Sequence, residues 1–328
     1  MRVENLGLKT KVTLILPAFS PEPDKERYPY AHQVITAGQF IQTLPVSPCH
    51  HACLYFFNPL IAESFSWAAL SAWDEQIVEN NSSAWLLTEP VHIVLDQHRA
   101  YLKEKISLDA NEYGRLSDDL IPFFKAEGYD LSPTHQGYWL LKVKAGTTII
   151  SRPLPQMYGQ SLARTLPSGE EGLEWRQLFT SAQLFLYHHP VNQHRRLKGE
   201  PTVDGLWFWG EGTLSEPVQT GLTHVFTDLY PVKVLSRYYG VPSYPLTELN
   251  AYLNEAGQYL IVLPEESTLE SVEDILNALQ SFLKQSETCT IQYVVNQKLY
   301  QMKAVKKNTW WDRLQKISAF LRTRVNIS

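Results

Sequence analysis

Residues 188–212 read HHPVNQHRRLKGEPTVDGLWFWGEG, and the interpretation of the whole chain depends on this stretch. It gathers histidines, arginines, tryptophans and glycines into one short segment. Pro190 predicts the end of the preceding helix, because proline cannot supply the backbone N–H that a helix interior requires. The apolar run Leu206–Trp209 is typical of a buried strand. The stretch therefore predicts a junction between a helix and a strand that carries polar side chains.

Strands alternate with helices on the C-terminal side of this junction. The apolar pattern predicts a hairpin around Asn296-Gln297 and an amphipathic helix at 270–284. The other predicted elements are strands at 206–209, 224–228 and 259–263 and helices at 246–256 and 310–322. This alternation favours an α/β layered sheet with the hairpin and the last helix at its C-terminal edge.

The N-terminal side has two regions that differ in their sequence pattern. Residues 11–16 predict a buried first strand that ends at Pro17, residues 54–57 an apolar strand, and residues 59–73 a helix with Ala69 and Trp73 on its core face. Further elements are predicted as strands at 85–87, 91–95 and 138–143 and helices at 109–127 and 171–187. Within 84–150, Asp109 and Glu112 have the spacing of a capping box. We therefore expect an inserted α+β subdomain at 84–150, and an α/β core from 1–83 and 151–328.

Composition limits the function classes. The chain has 328 residues and a net charge of −5, so no basic excess indicates nucleic acid or an anionic membrane surface as a partner. No apolar run approaches the roughly 18 residues of a membrane span. The three cysteines form no even disulfide framework, which favours a cytoplasmic location.

Three short motifs each allow two interpretations. Cys49-His50-His51-x-Cys53 has zinc-ligand residue types but no second ligand pair, so a loop before an apolar segment is the simpler interpretation. Gly159–Ala163 nearly matches the turn of a serine nucleophile, although prolines precede it where a strand is needed. Gly210-Glu211-Gly212 could begin a dinucleotide fingerprint, or its glycines could let the backbone turn sharply beside Trp207 and Trp209.

The polar side chains of the central stretch are candidates for ligand contact. Arg195 and Arg196 could bind a phosphate or carboxylate in a bidentate manner, or form surface ion pairs with nearby glutamates. His188, His189 and His194 could ligate a metal or cap the end of a helix. The candidate ligand-binding residues are His189, Asn192, Arg195, Arg196, Trp207, Trp209, Gly210 and Gly212.

The run His189-Pro190-Val191-Asn192-x-x-Arg195-x-x-x-Gly199-x-Pro201, followed by Leu206-Trp207-x-Trp209-Gly210-x-Gly212, resembles the middle of the archaeal-type cofactor-independent phosphoglycerate mutases. The resemblance implies the fold of the alkaline-phosphatase-like superfamily, a mixed α/β sheet with helices on both faces. Over nearly the whole chain, the sequence also looks like the bacterial RpfE-type regulatory proteins. Trp310-Trp311 and the Pro90-Val91-His92 unit belong to that second resemblance.

The mutases hold two metal ions through an N-terminal aspartate, a serine or threonine nucleophile and later aspartates and histidines. Here the first strand ends Leu16-Pro17-Ala18-Phe19-Ser20, and His224 is the only histidine beyond the central stretch. We therefore expect no metal, no cofactor and no catalytic residues that can be named. The predicted function is a regulatory or binding protein, a degenerate relative of the mutases, with a small anionic ligand or a protein as its partner. The alternative is an active phosphomutase or phosphatase on a small phosphorylated acid.

Overall fold

A computed structural model describes residues 10–16, 27, 39–43, 53–59, 65–77, 83–96, 99–144, 146–147, 149, 151–166, 171–253, 257–264, 266–285, 289–295 and 298–304. The strands of this part are, in chain order, β1 (Thr10–Ile15), β2 (Gln39–Thr43), β3 (Ala84–Leu95), β4 (Ala100–Lys105), β5 (Asp130–Pro133), β6 (Trp139–Val143), β7 (Gly205–Gly212), β8 (His224–Thr227), β9 (Ser243–Tyr244), β10 (Gln258–Val262), β11 (Cys289–Val295) and β12 (Lys298–Ala304).

The α-helices of the same part are α1 (Leu54–Phe57), α2 (Trp67–Asp74), α3 (Ala110–Ala126), α4 (Leu162–Thr165), α5 (Gly172–His188), α6 (Pro190–Lys198), α7 (Tyr230–Tyr238), α8 (Leu249–Tyr252) and α9 (Leu269–Gln285). Within these described residues, no helix combines the length and apolar character needed to cross a membrane. The chain divides into two compact units: a discontinuous unit, Met1–Glu63 with Pro217–Ser328, and a continuous unit, Ser64–Glu216.

The discontinuous unit contains a seven-stranded sheet in the order β2-β12-β11-β1-β10-β8-β9. The five strands from β11 to β9 are parallel, and β12 and β2 join antiparallel at one edge. β1 lies in the middle and its residues Val12, Leu14 and Ile15 are fully buried, as expected of a strand covered on both faces. The mixed α/β class predicted for the chain is confirmed.

Two local predictions in this unit are also confirmed. α9 occupies 269–285 and buries Val272, Leu276 and Leu279 in the core, at the spacing of one helix face. β11 and β12 form the predicted hairpin, with Val295 opposite Lys298. The predicted turn residues between them, and the predicted helix at 310–322, lie outside the described residues.

The continuous unit is built around β3, whose two edges are both used. Leu87 pairs with Trp209 of β7 on one edge and with Leu140 of β6 on the other. Further along β3, β4 replaces β6 on that second edge, and β5 pairs beyond β6. All these pairs are antiparallel. The core contains large aromatic side chains that are almost completely buried: Phe124, Trp139, Trp175, Phe179, Trp207 and Phe208.

The start of α3 follows the sequence signal closely. The Asp109 side chain accepts hydrogen bonds from the backbone N–H groups of Asn111 and Glu112, and the Glu112 side chain accepts one from the Asp109 N–H. Gly128 follows the helix with a φ of +89°, which a residue with a side chain rarely adopts. The predicted capping box is confirmed.

Several predicted elements were wrong. Residues 54–57 form the short helix α1 rather than a strand, because a run of four apolar residues has no period that separates the two. α2 begins at Trp67, where Ser66 caps it, and Trp73 is 36% exposed rather than part of the core. β7 joins the sheet of the continuous unit through β3, so it does not begin the α/β alternation predicted from residue 206 onward.

The boundaries of the continuous unit differ from those predicted for the inserted subdomain, which were residues 84 and 150. The continuous unit starts at Ser64 and ends at Glu216, because α2 and α5 pack against β7 and β7 pairs with β3. The sequence pattern around 84–150 contained no indication of these partners, since β7 lies more than fifty residues further along the chain. That 84–150 is an inserted subdomain stays a prediction.

Candidate functional site

The central stretch forms a helix–helix–strand corner in the continuous unit. α5 ends at His188, Pro190 occupies the first position of α6, and Gly199 ends α6 with a left-handed φ of +71°. Proline suits a first helical position because the N–H that it lacks would have no partner there. The chain then runs into β7. The sequence correctly placed the end of α5 but missed α6, whose composition is mainly polar.

Arg195 lies on the inner side of α6 and is buried. Its Nε donates to Oε1 of Glu112 over 2.8 Å and its Nη2 to Oε2 over 2.7 Å, which is the bidentate arrangement of a guanidinium on a carboxylate. Nη1 donates to the carbonyl of Pro201 and Nη2 also to that of Ser107, each over 2.8 Å. The Arg195 guanidinium thus ties α6 to the start of α3.

Asn192 and His189 are the other buried polar residues of this corner. The Asn192 amide nitrogen donates to the carbonyls of Leu186 and Val203, and its oxygen accepts from the Val203 N–H. His189 Nδ1 accepts from the Val191 N–H, so the proton lies on Nε2, which is 3.0 Å from an oxygen of Asp119. Both side chains bind groups of their own unit.

The two tryptophans of β7 are buried and bonded through their indole nitrogens. Trp207 Nε1 donates to the Arg152 carbonyl over 2.9 Å, and Trp209 Nε1 donates to Oε2 of Glu89 over 2.6 Å. The other oxygen of Glu89 accepts from Lys105 Nζ. Glu89 was not among the predicted site residues, although a single acid inside the apolar run of β3 was a usable signal for a buried polar contact.

Gly210 and Gly212 both have a backbone that a side chain would disfavour, with φ values of +77° and +136°. A Cβ at Gly212 would lie 3.0 Å from the Ser66 side chain, and the Ser66 hydroxyl donates to the Gly210 carbonyl. Glu211 lies between the two glycines in the sequence, and burial raises the pKa of its carboxyl to about 7. The glycines therefore fit the interpretation as a sharp turn of β7 against the start of α2. Residues 213–223 contain no helix, which a dinucleotide fingerprint would need.

Arg196, the next residue of α6, is exposed, whereas Arg195 is buried. Its Nη2 donates to the Tyr187 carbonyl over 2.9 Å, and its guanidinium carbon stands 5.3 Å from the centre of the Tyr187 ring. His188 packs edge-on against the same ring at 4.9 Å. The two arginines that the sequence treated as one anion-binding pair therefore face different environments.

A second pair of a histidine with an aspartate, which the sequence did not predict, joins β3 to the segment before β7. His92 Nδ1 is 2.6 Å from Oδ2 of Asp204 and 3.2 Å from the Thr202 carbonyl, so this nitrogen carries the proton. Asp204 also accepts from the Ile93 N–H and the Thr202 hydroxyl. The carboxylate is satisfied by local donors, and the imidazole is fixed in one tautomer.

Within the described part of the chain, the donor set does not fit the metal pair that the resemblance to the mutases implies. Among the described residues, no three His, Cys, Asp or Glu side chains lie close enough to hold a metal ion. Cys53 is buried beside α1, while the other residues of its motif, Cys49 to His51, lie outside the described residues. Ser161 precedes the four-residue helix α4 without a strand before it, which does not match the turn of a serine nucleophile.

Comparison with known proteins gives similarities in both sequence and structure. No family model matches the chain. A probable 2,3-bisphosphoglycerate-independent phosphoglycerate mutase of Geobacter sulfurreducens is 31% identical over 99 residues, which are 30% of this chain and 23% of that protein. The predicted relationship to phosphoglycerate-mutase-like proteins is therefore confirmed at low identity.

Two of the similar solved structures align over most of the chain. The PH0037 protein of Pyrococcus horikoshii covers 90% of this chain and 87% of its own, with a TM-score of 0.48 and 15% identity. A cofactor-independent phosphoglycerate mutase of Thermoplasma acidophilum covers 90% of both chains, with a TM-score of 0.39 and 13% identity.

Proposed function

We propose that this chain is a binding or regulatory protein of the cytoplasm, distantly related to phosphoglycerate-mutase-like proteins, in which residues 188–212 stabilise the fold instead of forming a reaction centre. The resemblance to RpfE-type regulatory proteins agrees with this proposal. The sequence match to a mutase supports a shared ancestry for part of the chain.

The bonding of Arg195 carries the proposal. All three nitrogens of its guanidinium donate to groups of the continuous unit, and the Glu112 carboxylate balances its charge. An anionic substrate would have to displace Glu112 and leave that carboxylate buried without a cation, which costs roughly 3–5 kcal/mol. A substrate phosphate does not supply that energy without other cations close to it. Arg195 is therefore better suited to hold α6 than to bind a ligand.

Asn192 and His189 support the same conclusion by their positions. Each is buried, and each uses its polar atoms on the backbone or on Asp119. A polar network whose members are satisfied internally gives a segment one defined conformation. The pattern shared with the mutases is accounted for by the need to build this corner.

A turnover assay tests the proposal directly. The purified full chain is incubated with Mn²⁺ or Mg²⁺, bound metal is measured by mass spectrometry, and the hydrolysis of p-nitrophenyl phosphate and the interconversion of 2- and 3-phosphoglycerate are followed. We expect no turnover above that of a mock preparation from cells without the gene. Stoichiometric metal together with turnover above the mock preparation would reject the proposal in favour of an active phosphomutase or phosphatase.

A further inference from the structure

The outer face of α5 carries a stripe without any charge. Its members recur at helical spacing, and all are exposed: Leu173, Gln177, Thr180, Leu184 and Tyr187. The opposite face is buried in the core through Trp175, Leu178, Phe179, Ala182 and Leu186. A helix that is packed on one side usually presents charged residues to solvent on the other. An uncharged outer stripe that includes two leucines and a tyrosine is therefore typical of a surface that another helix covers.

α6, which follows α5 directly, also carries an exposed apolar side chain. Leu197 is 87% exposed, Leu184 66% and Tyr187 64%, which are high values for large apolar side chains. Arg196 bridges the two helices, because its guanidinium lies over the Tyr187 ring and donates to the Tyr187 carbonyl. We call Leu184, Tyr187, Arg196 and Leu197 the corner surface.

The guanidinium of Arg196 is held in place but not neutralised. Among the described residues, Arg196 makes no ion pair, whereas Arg195 is paired with Glu112 and the charge of Lys198 acts on Asp109. Nη2 is used by the Tyr187 carbonyl, and Nε and Nη1 have no partner within the described part of the chain. An arginine fixed in this way loses little side-chain entropy when it binds a carboxylate.

Acidic residues are absent from the segment around Arg196, although the Asp119 carboxylate lies beside His189 and exposed Glu200 follows Gly199. No Asp or Glu occurs from Gln177 to Gly199, although the whole chain has a net charge of −5. His188 and His194 are exposed within this segment. A partner with acidic side chains is therefore favoured at the corner and repelled by the average charge of the remaining surface, which confines its binding to one place.

We propose that the corner surface docks an amphipathic helix of a protein partner, with its apolar face over Leu184, Tyr187 and Leu197 and a carboxylate on Arg196. A symmetric pair of copies of this chain is disfavoured, because it would place two of these surfaces together without an acidic side chain from residues 177–199 to pair with either Arg196. The inference names the partner class of the proposed binding role and rests on that role for its biological meaning.

A designed peptide tests the corner surface on the intact protein. The probe is a fluorescein-labelled amphipathic helix of about 18 residues with leucines on one face and glutamates beside them. Its companion has lysines in place of the glutamates. We expect fluorescence anisotropy to show binding of the acidic probe and binding at least roughly tenfold weaker for the basic one.

Variants locate the binding. We expect Leu184→Ser and Tyr187→Ser to weaken the acidic probe roughly tenfold or more, because they remove apolar contacts at the centre of the surface. Arg196→Gln should weaken it several-fold and reduce its dependence on salt. Leu95→Ser is the matched control, since Leu95 is an exposed leucine at the end of β3, on another element, and this variant should bind like the parent.

The inference would be overturned by no binding of the acidic probe, by equal binding of both probes, or by binding that Leu184→Ser and Tyr187→Ser leave unchanged while their circular dichroism matches the parent. A dimer seen by sedimentation velocity that Leu184→Ser dissociates would also reject it, in favour of a second copy of the chain. The turnover assay above is read separately, so failure of the surface and failure of the proposed function are distinguishable.

Discussion

Replacing Arg195 with Gln should destabilise the continuous unit strongly. The change removes a buried bidentate contact with Glu112 and leaves that carboxylate, whose side chain is only 13% exposed, without its cation. Breaking a buried pair from one side costs roughly 3–5 kcal/mol. For a unit of this size, each kcal/mol lowers the melting temperature by about 2–4 °C, so we expect a fall of roughly 6–20 °C.

Three further variants separate the pair from its surroundings. Glu112→Gln should cost less than Arg195→Gln, because glutamine at this position can still accept the N–H of Asp109. The double variant shows the coupling between the two side chains, which we expect at about 1.5–3 kcal/mol. Arg196→Gln is the matched control, and its exposed guanidinium should change the unfolding free energy by less than about 0.5 kcal/mol.

The assay is urea unfolding followed by tryptophan fluorescence, because Trp139, Trp175 and Trp207 are buried in the core of the continuous unit. The structural role of Arg195 would be refuted if Arg195→Gln and Arg196→Gln shifted the transition equally. It would also be refuted if Arg195→Gln left stability unchanged and instead weakened the binding of phosphate or phosphoglycerate.

Other outcomes follow from the turn of β7 and its neighbours. The free energy of unfolding should fall by up to about 3 kcal/mol between pH 4.5 and about 7. The reason is that the folded state keeps a proton on Glu211 that the unfolded state has lost. In urea titrations at several pH values, Glu211→Gln should abolish this dependence on pH. Gly210→Ala should lower the unfolding free energy by about 1–3 kcal/mol, because Gly210 has a φ of +77°. Gly114→Ala should instead stabilise the unit by about 0.5–1 kcal/mol, because Gly114 lies within α3 and a Cβ there meets nothing within 4 Å. Thermal melts measure both changes. Trp209→Phe should cost about 1–3 kcal/mol by removing a donor to buried Glu89, measured by urea unfolding with far-UV circular dichroism.

Each of these expectations has a contrary result. If the unfolding free energy of the Glu211→Gln variant still falls with pH, another titratable group causes that fall. Equal effects of the two glycine substitutions on stability would show that the positive φ of Gly210 does not explain its cost. A Trp209→Phe variant as stable as the parent would mean that Lys105 alone satisfies Glu89.

The parts of the fold that depend on neighbouring residues were predictable. The start of α3 rests on Asp109 and Glu112, three positions apart, and the apolar face of α9 repeats within one helix. The sheet that β7 joins was not predictable in this way, because its partner β3 lies more than a hundred residues earlier and both strands are equally apolar. A single sequence contains no statement of which strand pairs with which.

The candidate site shows the same division between local and distant contacts. The sequence predicted that Arg195 binds an anion or pairs with a nearby glutamate, whereas its partner is Glu112, 83 positions earlier in the chain. The opposite exposure of Arg195 and Arg196 follows from the helical conformation of α6, which was not predicted. The His92–Asp204 pair was missed because its members are 112 positions apart.

The double use of Glu112 has a consequence for how the sequence can diverge. As a capping residue alone, position 112 would accept glutamine as readily as glutamate, and as a counter-ion alone it would accept aspartate. Only glutamate satisfies both requirements while Arg195 is present. Among homologues, we therefore expect positions 112 and 195 to change together, with an apolar residue at 195 wherever glutamine or another neutral residue stands at 112.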